Sequence, residues 1–473
     1  MTPRILIPKR KEKGLVSLLA IVLIGFIFAF FPRVLLLFGA PSVVTLVHLG
    51  LIPAVCLLVL STTKAYNRVQ VTRVRQLLLA VILFFAVNLA SAALNQAGLV
   101  NALANFLLLC EHFLFLLAIV SLSLSSRQIR QFRRVIYTAS FVNILFAYVQ
   151  RYGLNWHLQT GAQDNIKGVF IEGGAGHVVG ASVALTFGVY FFVVAKQYSF
   201  LIRSAVLLAA FWQMNISDAK QVLLVFVVAG VLMVLTKFRQ VGKAIQYFAI
   251  ASLVLYVLYW LVYNIPALDG FLTWTRPDIY GSDGEATLLK TAAFRIVPTY
   301  YDSLLSPFLG LGPGHTVSRL GGWMLLNYQD LLIPLGATIH PASSEVWSAV
   351  ADSWLGDQSS LFSPLFGWAG IWGDLGVLGL VSFGYIWWLV WQRFCLDDIS
   401  KFLVLTVVVF GFIFSQMEEP GYMIYVVSII GLQWHEHQNK QKRIRVQRNL
   451  NQSGLRTAIA NRKSLDIPVR VLS

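Results

Sequence analysis

The sequence predicts an all-α polytopic membrane protein of about 12 transmembrane helices, with a large, partly helical extracytoplasmic loop. Three observations carry this reading. Of 473 residues, 57% are hydrophobic and only 12% charged, and the mean hydropathy is +0.70. Soluble domains carry nearer a quarter charged residues. The apolar residues fall into runs of about 20, the length that crosses a hydrocarbon layer of about 30 Å. The Lys and Arg residues behind a net charge of +16 sit in short connectors between those runs.

The candidate spans are 15–32, 42–61, 77–96, 100–124, 134–151, 174–195, 199–214, 219–236, 244–265, 367–391, 401–416 and 420–434. The first follows Arg10, Lys11 and Lys13. It is too long for a signal-peptide core and no small-residue cleavage site follows, so it reads as an anchored span. Alternate connectors are then basic. One carries Lys64, Arg68, Arg73 and Arg75, the next Arg127, Arg130, Arg133 and Arg134. Lys196 with Arg203, then Lys237, Arg239 and Lys243, then Arg393 follow on the same side. So does a tail with Lys440, Lys442, Arg443, Arg445 and Arg448. The positive-inside rule makes that side the cytoplasm and puts both termini there. Four regions result: a bundle of about nine helices over 1–265, an extracytoplasmic loop domain over 266–366, C-terminal transmembrane helices over 367–434, and a basic cytoplasmic tail over 435–473, expected to be mobile.

This placement makes the positive charge a topology signal and excludes nucleic acid as a partner. Cys56 and Cys110 lie in apolar runs and Cys395 follows a span. With no CxxC and no Cys/His cluster, neither a disulfide framework nor a metal site is expected, and no cofactor motif appears.

The long loop is acidic. Asp269, Asp278, Asp283, Glu285, Asp302, Asp330, Glu345, Asp352 and Asp357 stand against Arg276, Lys290, Arg295 and Arg319. Connectors of this length usually carry function. Leu289, Ala293, Ile296, Tyr300 and Leu304 make a helical apolar stripe, with Arg295 off it and Pro298 as a break. Ser344 is placed to cap a second helix with the stripe Val346, Val350 and Trp354.

Three groups of residues are candidates for chemistry. Glu111 falls near the middle of the fourth span, where a charge costs about 2.5–3.5 kcal/mol on insertion scales. It reads either as half of a structural ion pair, with Lys220 a candidate cation, or as a mechanistic carboxylate. The neighbouring His112 faces elsewhere on the helix. Asp218 and Lys220 open the eighth span at its outer end. They read as a cap and a snorkelling lysine, or as an anion site aided by a helix N-terminus. Gly310, Gly312 and Gly314, in Gly310-Leu311-Gly312-Pro313-Gly314-His315, form either a turn or a backbone cradle for an oxyanion.

Together these pieces resemble the O-antigen ligase and O-antigen polymerase superfamily, multi-span bacterial enzymes acting on lipid-linked glycans. The family's Arg, short helix and Pro-Leu-Gly-x-Gly-Pro-Gly-like element is matched by Arg295 through Ser306-Pro307-Phe308-Leu309-Gly310-Leu311-Gly312-Pro313-Gly314. Its acidic-Leu-Gly-x-x-Gly-Leu span is matched by Asp374-Leu375-Gly376-Val377-Leu378-Gly379-Leu380. Its Ser-Arg-small start is matched by Ser217-Asp218-Ala219-Lys220, with Lys for Arg, which loses bidentate phosphate recognition. The family's His-Asn pair at the end of the loop has no counterpart in 359–366.

The resemblance implies a glycosyltransferase of the bacterial cytoplasmic membrane that polymerises or ligates undecaprenyl-diphosphate-linked saccharides for O-antigen, capsule or exopolysaccharide. Its expected partners are a lipid-linked oligosaccharide donor, a glycan acceptor, the bilayer and other polysaccharide assembly proteins. Arg295 is then the first candidate to stabilise the leaving diphosphate and Lys220 the second. His340, His315 or a loop carboxylate would be the base, with Gly310, Gly312, Gly314, Asp218 and Glu111 contributing to binding. No metal is needed for such a step. A transporter of a small solute or an anion such as bicarbonate is the alternative, and a non-catalytic scaffold a third. Transporters usually show repeat symmetry and short loops, and neither is evident in this sequence.

Overall fold

The computed structural model describes residues 17–63, 68–159, 163–171, 175–237, 241–265, 272, 276–355, 362–364 and 366–465. The predicted beginning of the first span, its flank Arg10, Lys11 and Lys13, and Lys64, Arg239, Asp269 and Asp357 lie outside the described residues.

The described residues form helices and no strand. In chain order the longer ones are α1 (Leu18–Phe30), α2 (Val47–Thr62), α3 (Arg68–Leu94), α4 (Leu99–Ser121), α5 (Ser126–Tyr148), α6 (Gly176–Val194) and α7 (Phe200–Ile216). After them come α8 (Lys220–Leu235), α9 (Val241–Asn264), α10 (Glu285–Ile296), α11 (Pro341–Ala351), α12 (Gly367–Arg393), α13 (Asp398–Phe410) and α14 (Pro420–Leu465).

Among the described residues, five segments are long and apolar enough to cross a membrane: Ser42–Thr62, Arg68–Leu94, Leu99–Ser121, Gly176–Val194 and Gly367–Arg393. The pair Leu18–Phe30 and Pro32–Phe38, bent by 57°, makes a sixth if counted as one span. Leu57, Ile82, Leu145 and Leu208 are exposed on the outer flanks of their helices. Such surfaces suit hydrocarbon and not water.

Predicted same-side connectors meet one another at the two ends of the bundle. At the basic end Gln70 donates to the Val120 carbonyl at 2.6 Å, Lys237 meets Asp398 at 2.5 Å, and Arg133 pairs with Glu436. At the other end the residues of 309–340 close over the ends of α3 and α4, where Asn95 donates to the Gly310 carbonyl at 3.1 Å.

α14 runs unbroken from Pro420 to Leu465, so the described part of the tail is helix. Nothing between Gln433 and Gln452 breaks a helix, and Gln, Lys, Arg and Leu all favour one.

The long loop contains the two expected helices. The stripe Leu289 and Ala293 is buried on α10, and Val297 just beyond it begins the turn at Pro298. The second helix, α11, starts three residues before Ser344: His340 is its cap, its imidazole accepting from Ala342 N–H at 3.1 Å. Lys290 ties α10 to the bundle. Its ammonium donates to the Ser363 and Ile413 carbonyls at 2.7 and 2.8 Å. Burial pushes its amine down to about 7.

Candidate functional site

The glycine-rich loop is built around a carboxylate. Gly310, Gly312 and Gly314 have φ of +72°, +110° and +71°, conformations that favour glycine. They turn the backbone so that Gly314 N–H and Thr316 N–H donate to the two oxygens of Asp374, at 2.7 and 2.9 Å. The Thr316 hydroxyl adds a third bond at 2.6 Å. Leu311 N–H and Gly312 N–H reach the Gly373 and Asp374 carbonyls at 2.8 and 3.0 Å.

That approach is possible because α12 breaks at Gly376, whose φ is +63°. Ser91 on α3 donates to the Leu309 and Asp374 carbonyls, and Asn101 on α4 to those of Pro313 and Thr338. The loop and Asp374 therefore join in one clasp, whose N–H groups are committed to Asp374 and to its neighbours.

The two histidines stack beside this clasp, 5.2 Å apart at 25°. His315 is buried. Its Nδ1 lies 2.8 Å from the Leu311 carbonyl, so Nδ1 carries the proton and Nε2 accepts from the Thr338 hydroxyl at 2.7 Å. Burial holds His315 down near 4. His340 is half-buried and also lowered by burial, with Asp302 partly countering.

The remaining predicted residues are dispersed. Arg295 is exposed on α10 and donates to the Leu288 carbonyl of its own helix at 2.8 Å. Lys220 pairs with Asp218, 2.7 Å away, at the start of α8. Glu111 is buried but does not pair with Lys220: its partner is His48 on α2, at 2.6 Å. Lys220, named above as one candidate cation for Glu111, is therefore not its partner; His48 is. α2 packs along α4, and its first turn brings an imidazole to the carboxylate.

A different group of charges gathers at the loop end of the bundle, around a cavity of about 200 Å³. Arg33, just past α1, donates to one oxygen of Glu419 at 2.7 Å. Arg319 pairs with the other oxygen and lies over the Trp323 ring, 5.6 Å from its centroid. Glu419 immediately precedes α14. Its neighbour Glu418 accepts from Arg319 N–H at 2.9 Å, and the carbonyl of Glu418 accepts from the Arg319 guanidinium at 3.0 Å. His48, Thr45, Asn327 and Tyr328 add polar lining. Ala29, Phe30, Leu36, Leu46 and Phe170 add apolar lining.

The two glutamates differ in charge for a physical reason. Burial raises both carboxyls, but the guanidiniums of Arg319 and Arg33 bring Glu419 below the usual range. Glu418 has only one backbone donor and a weaker pull from Arg319, so burial pushes it up to about 8. Its Oε1 has no hydrogen-bond partner among the described residues. At neutral pH the cluster therefore holds two cations, one carboxylate and one carboxylic acid, a net positive charge facing a half-apolar cavity.

Sequence reasoning placed Arg319 only among the loop cations and passed over Arg33, His48, Glu418 and Glu419. A signal existed: Glu418-Glu419 sits between two apolar runs, and charges there need partners. Compared with known proteins, the chain matches no family model and no curated protein.

Proposed function

We propose that this protein is a membrane glycosyltransferase that extends undecaprenyl-diphosphate-linked saccharides, with the cavity at Arg33, Arg319 and Glu419 as its centre. On this reading the chain crosses the bilayer about twelve times, with both ends in the cytoplasm and residues 266–366 outside. The observation that carries the reading is one cavity lined both by two guanidiniums and by aromatic and aliphatic side chains. A lipid-linked sugar diphosphate needs both.

In such a transfer an acceptor hydroxyl attacks the anomeric carbon while the bond from that carbon to the diphosphate oxygen breaks. Arg33 and Arg319 present planar forks that match phosphate oxygens. Diphosphate replaces Glu419 as their partner. The carboxylate, relieved of two cations, then takes the hydroxyl proton. Glu418 stays neutral, which keeps the cavity cationic. The stacked His315 and His340 and the exposed Arg295 stand outside this centre, Arg295 within reach of a glycan in water. Extension of a second lipid-linked glycan, as in a polymerase, is favoured over transfer to a protein because no acceptor module is evident in the sequence.

The test uses purified protein in lipid nanodiscs with a lipid-diphosphate oligosaccharide pool. Longer glycans should form, and Arg319→Ala should abolish them at normal membrane abundance. Undiminished elongation by Arg319→Ala would sink the assignment. The break at Gly376 and the 57° bend after α1 are features that favour a second reading, a small-anion transporter. Bicarbonate uptake by proteoliposomes, without any glycan transfer, would select it.

A further inference from the structure

The segment 303–309, between the turn after α10 and the glycine clasp, carries large apolar side chains that the fold leaves bare. Leu304 is 93% exposed, and Leu305 and Phe308 are each 51% exposed. Ser306–Leu309 within it is a single turn of helix. Side chains of this kind gain about 1.5–3 kcal/mol each when taken out of water, and nothing in the chain itself takes these out.

The backbone of the segment is completed without water. Ser303 N–H donates to the Ser306 hydroxyl at 3.3 Å, and Leu305 N–H to the Ser303 hydroxyl at 3.2 Å. Ser306 N–H reaches the Ser303 carbonyl, Phe308 and Leu309 N–H the Leu305 carbonyl, and Gly310 N–H the Ser306 carbonyl, all at 2.7–3.0 Å. Residue 307 is proline, which has no N–H to satisfy. A segment that enters hydrocarbon has to pair its donors in this way, because no water is there to do it.

Its position fits the same environment. Gly376 lets the segment lie directly on the α12 backbone: a Cβ there would come within 2.3 Å of the Phe308 carbonyl carbon. Ser91 of α3 holds it through the Leu309 carbonyl at 2.6 Å. From Gly376 to Arg393, at the basic end, α12 rises about 26 Å at about 1.5 Å per residue, close to a hydrocarbon thickness of about 30 Å. The segment therefore lies at the edge of that layer. Beyond Gly376 on the bilayer side, α12 continues with exposed Val377, Leu378 and Val381. Before it, Tyr301 and Trp372 pack on one cluster, and these aromatic types favour headgroup level.

We propose that Leu304, Leu305 and Phe308 form a wedge seated among phospholipid acyl chains of the leaflet on the loop side. The wedge continues the lipid-facing flank of α12 and fixes the depth at which the loop helices ride. This placement needs only the bilayer, and is independent of whether the protein transfers glycans or moves anions.

The experiment uses the full chain in phosphatidylglycerol nanodiscs, with a nitroxide on one introduced cysteine at a time. Cys56, Cys110 and Cys395 are buried, so the label goes to the introduced thiol. Leu304→Cys and Phe308→Cys carry the test. Val381→Cys on the flank of α12 and Thr291→Cys, exposed on α10, are the references. Power saturation compares collisions with oxygen, which concentrates in hydrocarbon, and with a water-soluble nickel chelate. At 304 and 308 the oxygen-to-nickel ratio should shift from the value at 291 towards that at 381.

Nickel access equal to that at 291 puts the segment in water and overturns the inference. Low access to both reagents, or spin–spin broadening that disappears on dilution with unlabelled protein, puts a second copy on this face and overturns it equally.

Discussion

Two buried carboxylates at the loop end of the bundle, Asp374 and Glu419, are satisfied in opposite ways. Asp374 receives two backbone N–H groups and the hydroxyls of Thr316 and Ser318 from a loop that glycines hold in place. These donors cannot leave without unfolding the loop, and nothing foreign can replace the carboxylate. Glu419 receives two guanidiniums, on long side chains, at the edge of a cavity. Those partners can exchange one anion for another. A carboxylate held by backbone is architecture; under the function proposed above, one held by side-chain cations beside a cavity keeps the place of a ligand.

The contrast is easiest to break with Arg319→Ala, where the largest effect is expected. Removing one donor aimed at developing negative charge costs about 100- to 1,000-fold in kcat, while abundance stays normal. Glycan elongation measured beside membrane immunoblots checks this, and an equal fall in abundance would place Arg319 with Asp374 as architecture.

Gly310→Ala probes the other side. A Cβ there would lie 2.4–2.5 Å from the backbone of Gly373 and Asp374, at a φ of +72°. Protein should be lost from the membrane, and what survives should melt earlier in detergent. Asp374→Ala strips the Gly314 and Thr316 N–H groups and the Thr316 and Ser318 hydroxyls of their buried acceptor, at about 1–3 kcal/mol each. It should behave alike, with the surviving fraction still active per molecule.

Glu418 sharpens the comparison through pH. Its folded carboxyl lies near 8, above the ordinary value of 4.5. A raised value means the neutral form favours the folded state, so this contribution is full below about 4.5 and is lost as pH rises through about 8. Ionisation also cancels the cavity's net positive charge. Diphosphate affinity should therefore fall between pH 7 and 9.5, and Glu418→Gln should flatten that step. A slope unchanged in Glu418→Gln would remove Glu418 from the site's electrostatics. The smallest effect belongs to Arg295→Ala: an exposed side chain bonded to its own helix should change stability by no more than about 0.5 kcal/mol. Its transfer activity should stay near the parent's, and a loss comparable with Arg319→Ala would move the centre to the loop surface.

The helical class and the basic connectors were legible because each depends on runs of adjacent residues. The clasp was half legible: Asp374-Leu375-Gly376 and the glycine segment stood out separately, but nothing in their order says that one caps the other. The cavity was not legible. Arg33 and Arg319 meet on Glu419 across 386 and 100 residues of chain, and each alone passes for an interfacial charge. Glu111 was readable as a costly charge, yet its partner His48, 63 residues away, looked like an ordinary residue near a span end.

The break at Gly376 also bears on how the protein is made. Inside a bilayer, backbone groups without partners cost several kcal/mol each. The groups left by α12 at this point are answered by Leu311 and Gly312, which the ribosome delivers some 60 residues earlier. In the topology proposed above, α12 would enter the membrane incomplete and be finished only when the stretch around Leu311 and Gly312 docks on it. Deleting that stretch should expose the helix to quality-control proteases, so the phenotype is turnover of the polypeptide before any question of catalysis arises.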